Sequence, residues 1–327
     1  MAVKLSLPMY CSLDAKSIGL DPSWIKLTDN IDFYLIFELR GEWDKFIELS
    51  SQFPSGLKEY LTRIKDEGKK FKYFCVKPNS EESKNNIQNI RVFFFTRTLG
   101  EFTTFTKKEL IVTEIDLLTS IEALIKGNFD LVKKYEVGEN NKRDVFICTH
   151  HERDQCCGSF GGKIFQKVKR KDFNLEGNLP QSIRFWESSH MGGHRVGPTF
   201  MDMPSGRVWA YVDKDNIQDI LFQRENHVNI LINYRGTIGL DRYSQILDKE
   251  IFKIRGWDWL DVPKRSEIVS QTEDQTIVKI IYKSANESGN FSAIVINSGK
   301  LKVPATQCSK STIMKKFEII DLKHTKY

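Results

Sequence analysis

Four residues in the middle of the chain have the types and spacing to hold a metal centre: Cys148, Cys157, His190 and His194. They lie in the runs C-T-H-H-E-R-D-Q-C-C-G-S-F-G-G (148–162) and S-S-H-M-G-G-H-R (188–195). Thiolates are soft, charge-donating ligands that hold iron–sulfur clusters, and imidazole can replace them on one iron, as in Rieske centres. The same set suits a tetrahedral Cys2His2 zinc site. Spacing separates the two readings in part. Eight residues lie between the cysteines, which is long for a structural zinc knuckle. Gly192 and Gly193 let the backbone approach something larger than a single ion, and Gly158, Gly161 and Gly162 keep a helix start open.

Strands and helices must bring these residues together. Asp144 to Thr149 reads as a strand that ends at Cys148, and Cys157 opens the helix that includes Phe160 to Lys171. Ser182 to Glu187 is a second strand, and both histidines follow it. If the two strands are parallel, thiolates and imidazoles meet at one sheet edge. Thr199 to Met203 and Val208 to Val212 form a hairpin turning at Pro204, Ser205 and Gly206, and Asn216 to Arg224 is a helix.

The same order, β, α, β, β, β, α, precedes it: Ile31 to Leu39, Gly56 to Gly68, Phe71 to Val76, Ile90 to Thr96, Phe102 to Phe105 and Asp116 to Lys126. That order is the thioredoxin-like one. The predicted fold class is therefore α/β (α+β), with two tandem thioredoxin-like modules followed by a small β-rich appendage. Residues 1–138 form a module without the cluster, 139–228 the cluster-bearing module, and 229–327 a helix plus a β-rich region beginning with the apolar strand VNILI. Two similar but separate sheets are expected, and one continuous sheet through both halves would argue against the duplication.

A chain of 327 residues, 40% of them hydrophobic, can bury cores for two or three such units. The net charge of +6 is spread among 43 acidic residues, which permits acidic partners without arguing for nucleic acid. The start lacks a secretory h-region, no apolar run reaches membrane-spanning length, and six cysteines are too sparse for a disulfide scaffold. A cytoplasmic setting follows, where cysteines more often serve metals or redox chemistry than bridges.

The run CTHHERDQCCGSFGG, with WESSHMGGHRVGPTFMDMPSG and a later YRG, resembles the sucrase/ferredoxin-like family. CSLDAKSIGLDPSW and GEW extend the resemblance to the N-terminal half, over roughly residues 9–250. It implies a thioredoxin-like ferredoxin domain whose 2Fe-2S cluster is bound by Cys148, Cys157, His190 and His194 outside the Rieske fold. The expected role is electron transfer or redox sensing, proton-coupled because a bound imidazole keeps a second, titrating nitrogen. The chain is then a redox carrier or oxidoreductase component rather than a hydrolase, since no isolated carboxylate pair argues for glycoside cleavage. A redox partner protein is implied, with no nucleic acid and no membrane.

Plainer readings stand beside these. The four residues can be two core cysteines and two satisfied loop histidines. A thioredoxin-like thiol oxidoreductase would use Cys148 or Cys157 as nucleophile, but it leaves both histidines without a task. Cys156 is expected to pack rather than ligate, and His150 and His151 to be solvated loop residues. Cys11, Cys75 and Cys308 read as isolated buried side chains. Arg153 and Arg195 either steer an acidic partner or are solvated.

Overall fold

The computed structural model describes residues 10–28, 31–79, 89–97, 105–138, 142–170, 183–224, 226–305 and 310–327. A short helix, α1 (Cys11–Ser17), leads to β1 (Phe33–Glu38), whose six residues are all buried. A strand covered on both faces must be apolar throughout, which FYLIFE nearly is. In α2 (Leu57–Asp66), Leu57, Tyr60, Leu61 and Ile64 fall on one face and are buried. β2 (Phe71–Val76), β3 (Asn89–Arg97) and β4 (Phe105–Thr113) follow, then α3 (Glu114–Lys126). The Thr113 hydroxyl accepts from the Asp116 N–H at the start of α3, and Gly127 in the left-handed region ends it.

The second half repeats this order. β5 (Arg143–Cys148) is followed by a π-helical turn, Cys157–Gly161, that runs into α4 (Gly162–Lys169). Then come β6 (Ile183–Ser188), β7 (Phe200–Met203), β8 (Arg207–Trp209) and α5 (Asn216–Phe222). β9 (Tyr234–Thr237), α6 (Arg242–Arg255) and α7 (Asp258–Asp261) complete the main body. The tail is a separate four-stranded antiparallel sheet: β10 (Lys264–Gln271), β11 (Gln275–Lys283), β12 (Ser288–Pro304) and β13 (Ser311–Lys326).

The expectation of two separate sheets is not met. One nine-stranded sheet runs β4-β3-β1-β2-β6-β5-β7-β8-β9 through both halves. Within each half the order is the same: first and second strands parallel, first and third antiparallel, third and fourth antiparallel. The halves join where β2 meets β6 antiparallel at Val76 and Ser188. The Lys77 N–H donates to the Glu187 carbonyl at 2.9 Å, and the Ser189 N–H to the Cys75 carbonyl at 2.8 Å. The duplication as predicted, two independent sheets, therefore falls; what the halves share is the strand order.

Alternation along the strands sorts the core into two faces. Phe33, Leu35 and Phe37 pack with α2 and α3, whereas Tyr34, Ile36, Phe93, Phe146, Trp186 and Met201 form a core spanning both halves. Charged groups are buried near this shared face. Arg184 of β6 bridges Glu109 of β4 and Asp144 of β5, at 2.7 and 2.8 Å. Arg91 also pairs with Glu109, and Lys107 reaches Asp144 at 3.0 Å. Val145 and Ile147 point the other way, into a core shared with α4, α6 and the C-terminal sheet.

Other expectations are adjusted. Of the short strand placed at 102–105, residues 102–104 lie outside those described, and Phe105 opens a strand that runs on to Thr113. VNILI is not a strand: His227–Asn233 forms a 3-10 helix, and the strand starts at Tyr234 and joins the large sheet. Among the described residues, no helix is long and apolar enough to cross a membrane.

Candidate metal centre

β5 and β6 are parallel and in register, with Cys148 opposite Ser188. Both chains therefore leave the sheet at the same edge, β5 at Cys148 and β6 into the segment 189–194. The thiols of Cys148 and Cys157 and an imidazole nitrogen of His190 lie within 4.8 Å of one another. His190 Nδ1 is 4.0 Å from the Cys148 sulfur. Both cysteines are buried, whereas His190 is half-buried. His194 stands outside that group of three, its ring centroid 6.3 Å from that of His190. Its Nε2 is buried without a hydrogen-bond partner.

Local sequence explains how the turn is built. Asp154 accepts from the N–H groups of Cys156 and Cys157 at 2.8 and 3.3 Å, capping the helical turn that Cys157 begins. A Cβ on Gly161 would stand 2.0 Å from the Cys148 carbonyl oxygen, so only glycine lets this turn press against the end of β5. Gly193 has φ +86°, and a Cβ there would meet the Arg235 guanidinium at 2.5 Å.

Electrostatics fit the ligand roles. Burial disfavours ionised Cys148, yet hydrogen bonds from Cys157 and His190 outweigh it and hold its thiol well below the usual range. Cys157 is pushed well above it, first by its hydrogen bond to Cys148 and then by burial. Burial, with the nearby Arg195 charge, lowers His194 to about 4, leaving a neutral imidazole with a lone pair free to bind. Two sulfurs, the His190 nitrogen and an orphaned buried nitrogen on His194 therefore fit a metal centre.

The neighbours are sorted as well. Cys156 is buried and stands outside the group formed by Cys148, Cys157 and His190. His151 is exposed, as expected, but His150 is buried, and this corrects its reading as a solvated loop residue. Its Nε2 bonds the Asp44 carbonyl at 2.9 Å, its Nδ1 accepts from the His190 N–H at 3.3 Å, and Trp43 packs edge-on against it. His150 thus positions the backbone of a candidate ligand. Cys75 is buried with a free thiol, Cys11 is buried but disulfide-bonded and so not a free thiol, and Cys308 lies outside the described residues. Arg153 lies over the exposed Phe46 ring at 4.9 Å. Arg195 is not solvated, because it donates to the Pro304 carbonyl at 2.8 Å.

Besides His150, whose reading is corrected above, two residues that build the site carry no role in the sequence reading: Asp154 and Arg235. Asp154 does carry a signal, since an aspartate immediately before the first helical residue, here Gln155, is a capping signature. Arg235 packs on Gly193 through the fold alone, although its YRG run was noticed.

No curated protein and no solved structure matches the chain. The sucrase/ferredoxin-like family model matches residues 25–236, most of the large sheet and both ligand segments. With well over half of its length matched, and with the Cys and His residues of the centre inside the match, the chain belongs to the sucrase/ferredoxin-like family.

Proposed function

We propose that the chain carries a 2Fe-2S cluster on Cys148, Cys157, His190 and His194 and works in electron transfer or redox sensing. The convergence of two buried thiols with the His190 imidazole at the end of two parallel strands is the observation that carries this reading. When bound, such a cluster supplies one-electron chemistry. Cys148 and Cys157 would give it two thiolates, and His190 and His194 two neutral donors. Neutral imidazoles leave the cluster less negative than four thiolates would, which favours reduction and raises the potential above that of a plant-type ferredoxin. His150 and Asp154 hold the two ligand segments, so little reorganisation accompanies the change of charge.

The repeated strand order supports reading residues 1–138 and 139–228 as tandem thioredoxin-like modules, with 229–327 as a covering region. Freshly purified protein tests the function. Reddish-brown colour, with iron and acid-labile sulfide in equal amounts, is expected. A colourless protein containing zinc, or no metal at all, would reject the cluster and favour the zinc or thiol reading.

A further inference from the structure

Beyond the Cys75–Ser189 contact, β2 and the segment after β6 separate, and a cleft of about 760 Å³ opens between them. One wall is the ligand segment itself, with His190, Met191 and Gly192. The other is cationic: Lys58 and Lys65 come from α2, and Lys69, Lys70 and Lys72 surround the start of β2. All five are exposed, and none forms an ion pair among the described residues. Arg153 of the cysteine loop stands at the rim, over the exposed ring of Phe46. Glu48 is the single carboxylate lining the cleft, and it is engaged by the Tyr73 hydroxyl. The other acidic residues of α2, Glu59 and Asp66, line an adjoining groove with Arg63 that shares only Lys58 and Thr62 with the cleft.

We propose that this cleft docks the acidic surface of a redox partner protein, which exchanges one electron with the centre on its His190 side. The proposal rests on the cluster reading for the exchange, but not for the docking. One electron leaves the reduced donor, which becomes oxidised, and enters the cluster, with no bond made or broken. Charge of one sign focused in a cleft steers an oppositely charged partner and raises its encounter rate. Cations beside an exposed aromatic and an arginine match a protein surface, where such residues anchor interfaces. A nucleic acid would use the lysines but would have no use for a cleft that ends on a metal ligand.

Two probes test it on the full-length protein. A fluorescently labelled oligo-glutamate peptide reports binding, and reduced plant-type ferredoxin, an acidic one-electron donor, reports transfer through bleaching of the cluster spectrum. The combined variant Lys65→Glu, Lys69→Glu, Lys72→Glu should weaken peptide binding and slow reduction by ferredoxin by at least about tenfold at low salt. Dithionite should reduce it at the normal rate. The control variant Lys300→Glu, Lys302→Glu, Lys315→Glu, on the C-terminal sheet, should change neither. Lys→Gln replacements at the three cleft positions, which keep the fold under less strain, should give a smaller loss of the same sign.

Equal effects of the cleft and control variants, or no effect of either, overturn the proposal. Tighter cleft binding by a single-stranded oligonucleotide than by the peptide overturns it in favour of nucleic acid. A colourless protein that still binds the peptide through the cleft lysines sinks the cluster reading and upholds the docking surface.

Discussion

Arg195 donates from Nε to the carbonyl of Pro304 at 2.8 Å, and its Nη1 reaches the Met314 sulfur at 3.8 Å. The turn that carries His194 is thereby fastened to the C-terminal sheet. Arg195→Ala removes a charge-assisted hydrogen bond and should cost about 1–3 kcal/mol of stability. If the proposed cluster is bound, its loss to a chelator should accelerate in this variant, and unchanged release kinetics would show that the sheet does not hold the turn.

The four proposed ligand positions give separable outcomes. Cys148→Ala, Cys157→Ala, His190→Ala and His194→Ala should each abolish or strongly destabilise the visible chromophore. Cys156→Ala should leave it, because that thiol is not among the converging donors. A normal spectrum in Cys148→Ala, or a bleached one in Cys156→Ala, would overturn the assignment.

Gly161→Ala tests the seam between strand and turn. The new methyl would overlap the Cys148 carbonyl, so the turn must shift, at a typical overpacking cost of about 1–3 kcal/mol. Iron content should drop while the far-UV circular dichroism of the sheet persists. Gly162→Ala meets nothing within 4 Å and should behave as wild type in the same assay.

Glu109 sets an acid limit. Burial alone would raise its carboxyl, but the hydrogen bond and charge of Arg184, with Arg91 and Lys107, hold it below the usual range. A carboxylate depressed in the folded state adds stability above its unfolded value of about 4.3 and loses it as pH falls through the folded value. Melting temperature should therefore drop steeply below about pH 4. Glu109→Gln leaves Arg184 and Arg91 under-compensated and should cost about 3–5 kcal/mol near neutrality, with a shallower acid slope. A parallel pH profile in both proteins would remove Glu109 from the acid transition.

Ligand types and strand ends were readable from the chain because Cys148 and His190 each follow a run of β-forming residues, and the glycines mark the turns. The segment Lys107 to Val112 was not. Its two lysines and a glutamate look solvent-facing, yet Glu109 is buried and Lys107 half-buried, each paired with charges on other strands that local pattern does not reveal. VNILI failed for the opposite reason: branched apolar residues suit a buried strand, but Val228 and Ile232 are exposed and the segment coils into a 3-10 helix. Nothing local announced that β2 and β6 would meet, because edge pairing depends on the shapes of two completed halves. His150 was misjudged because its two hydrogen-bond partners, Asp44 and His190, lie 106 and 40 residues away.

The meeting of β2 and β6 joins two halves of like strand order within one backbone. FKYFCV and IRFWES are aromatic strands of the kind that pair with an available edge, and they touch only at their ends, where Val76 meets Ser188. Severed between 138 and 143, either half would present a sticky edge and should aggregate or seek a second copy of itself. The covalent link holds the two edges at high effective concentration, so they find each other before they find another molecule.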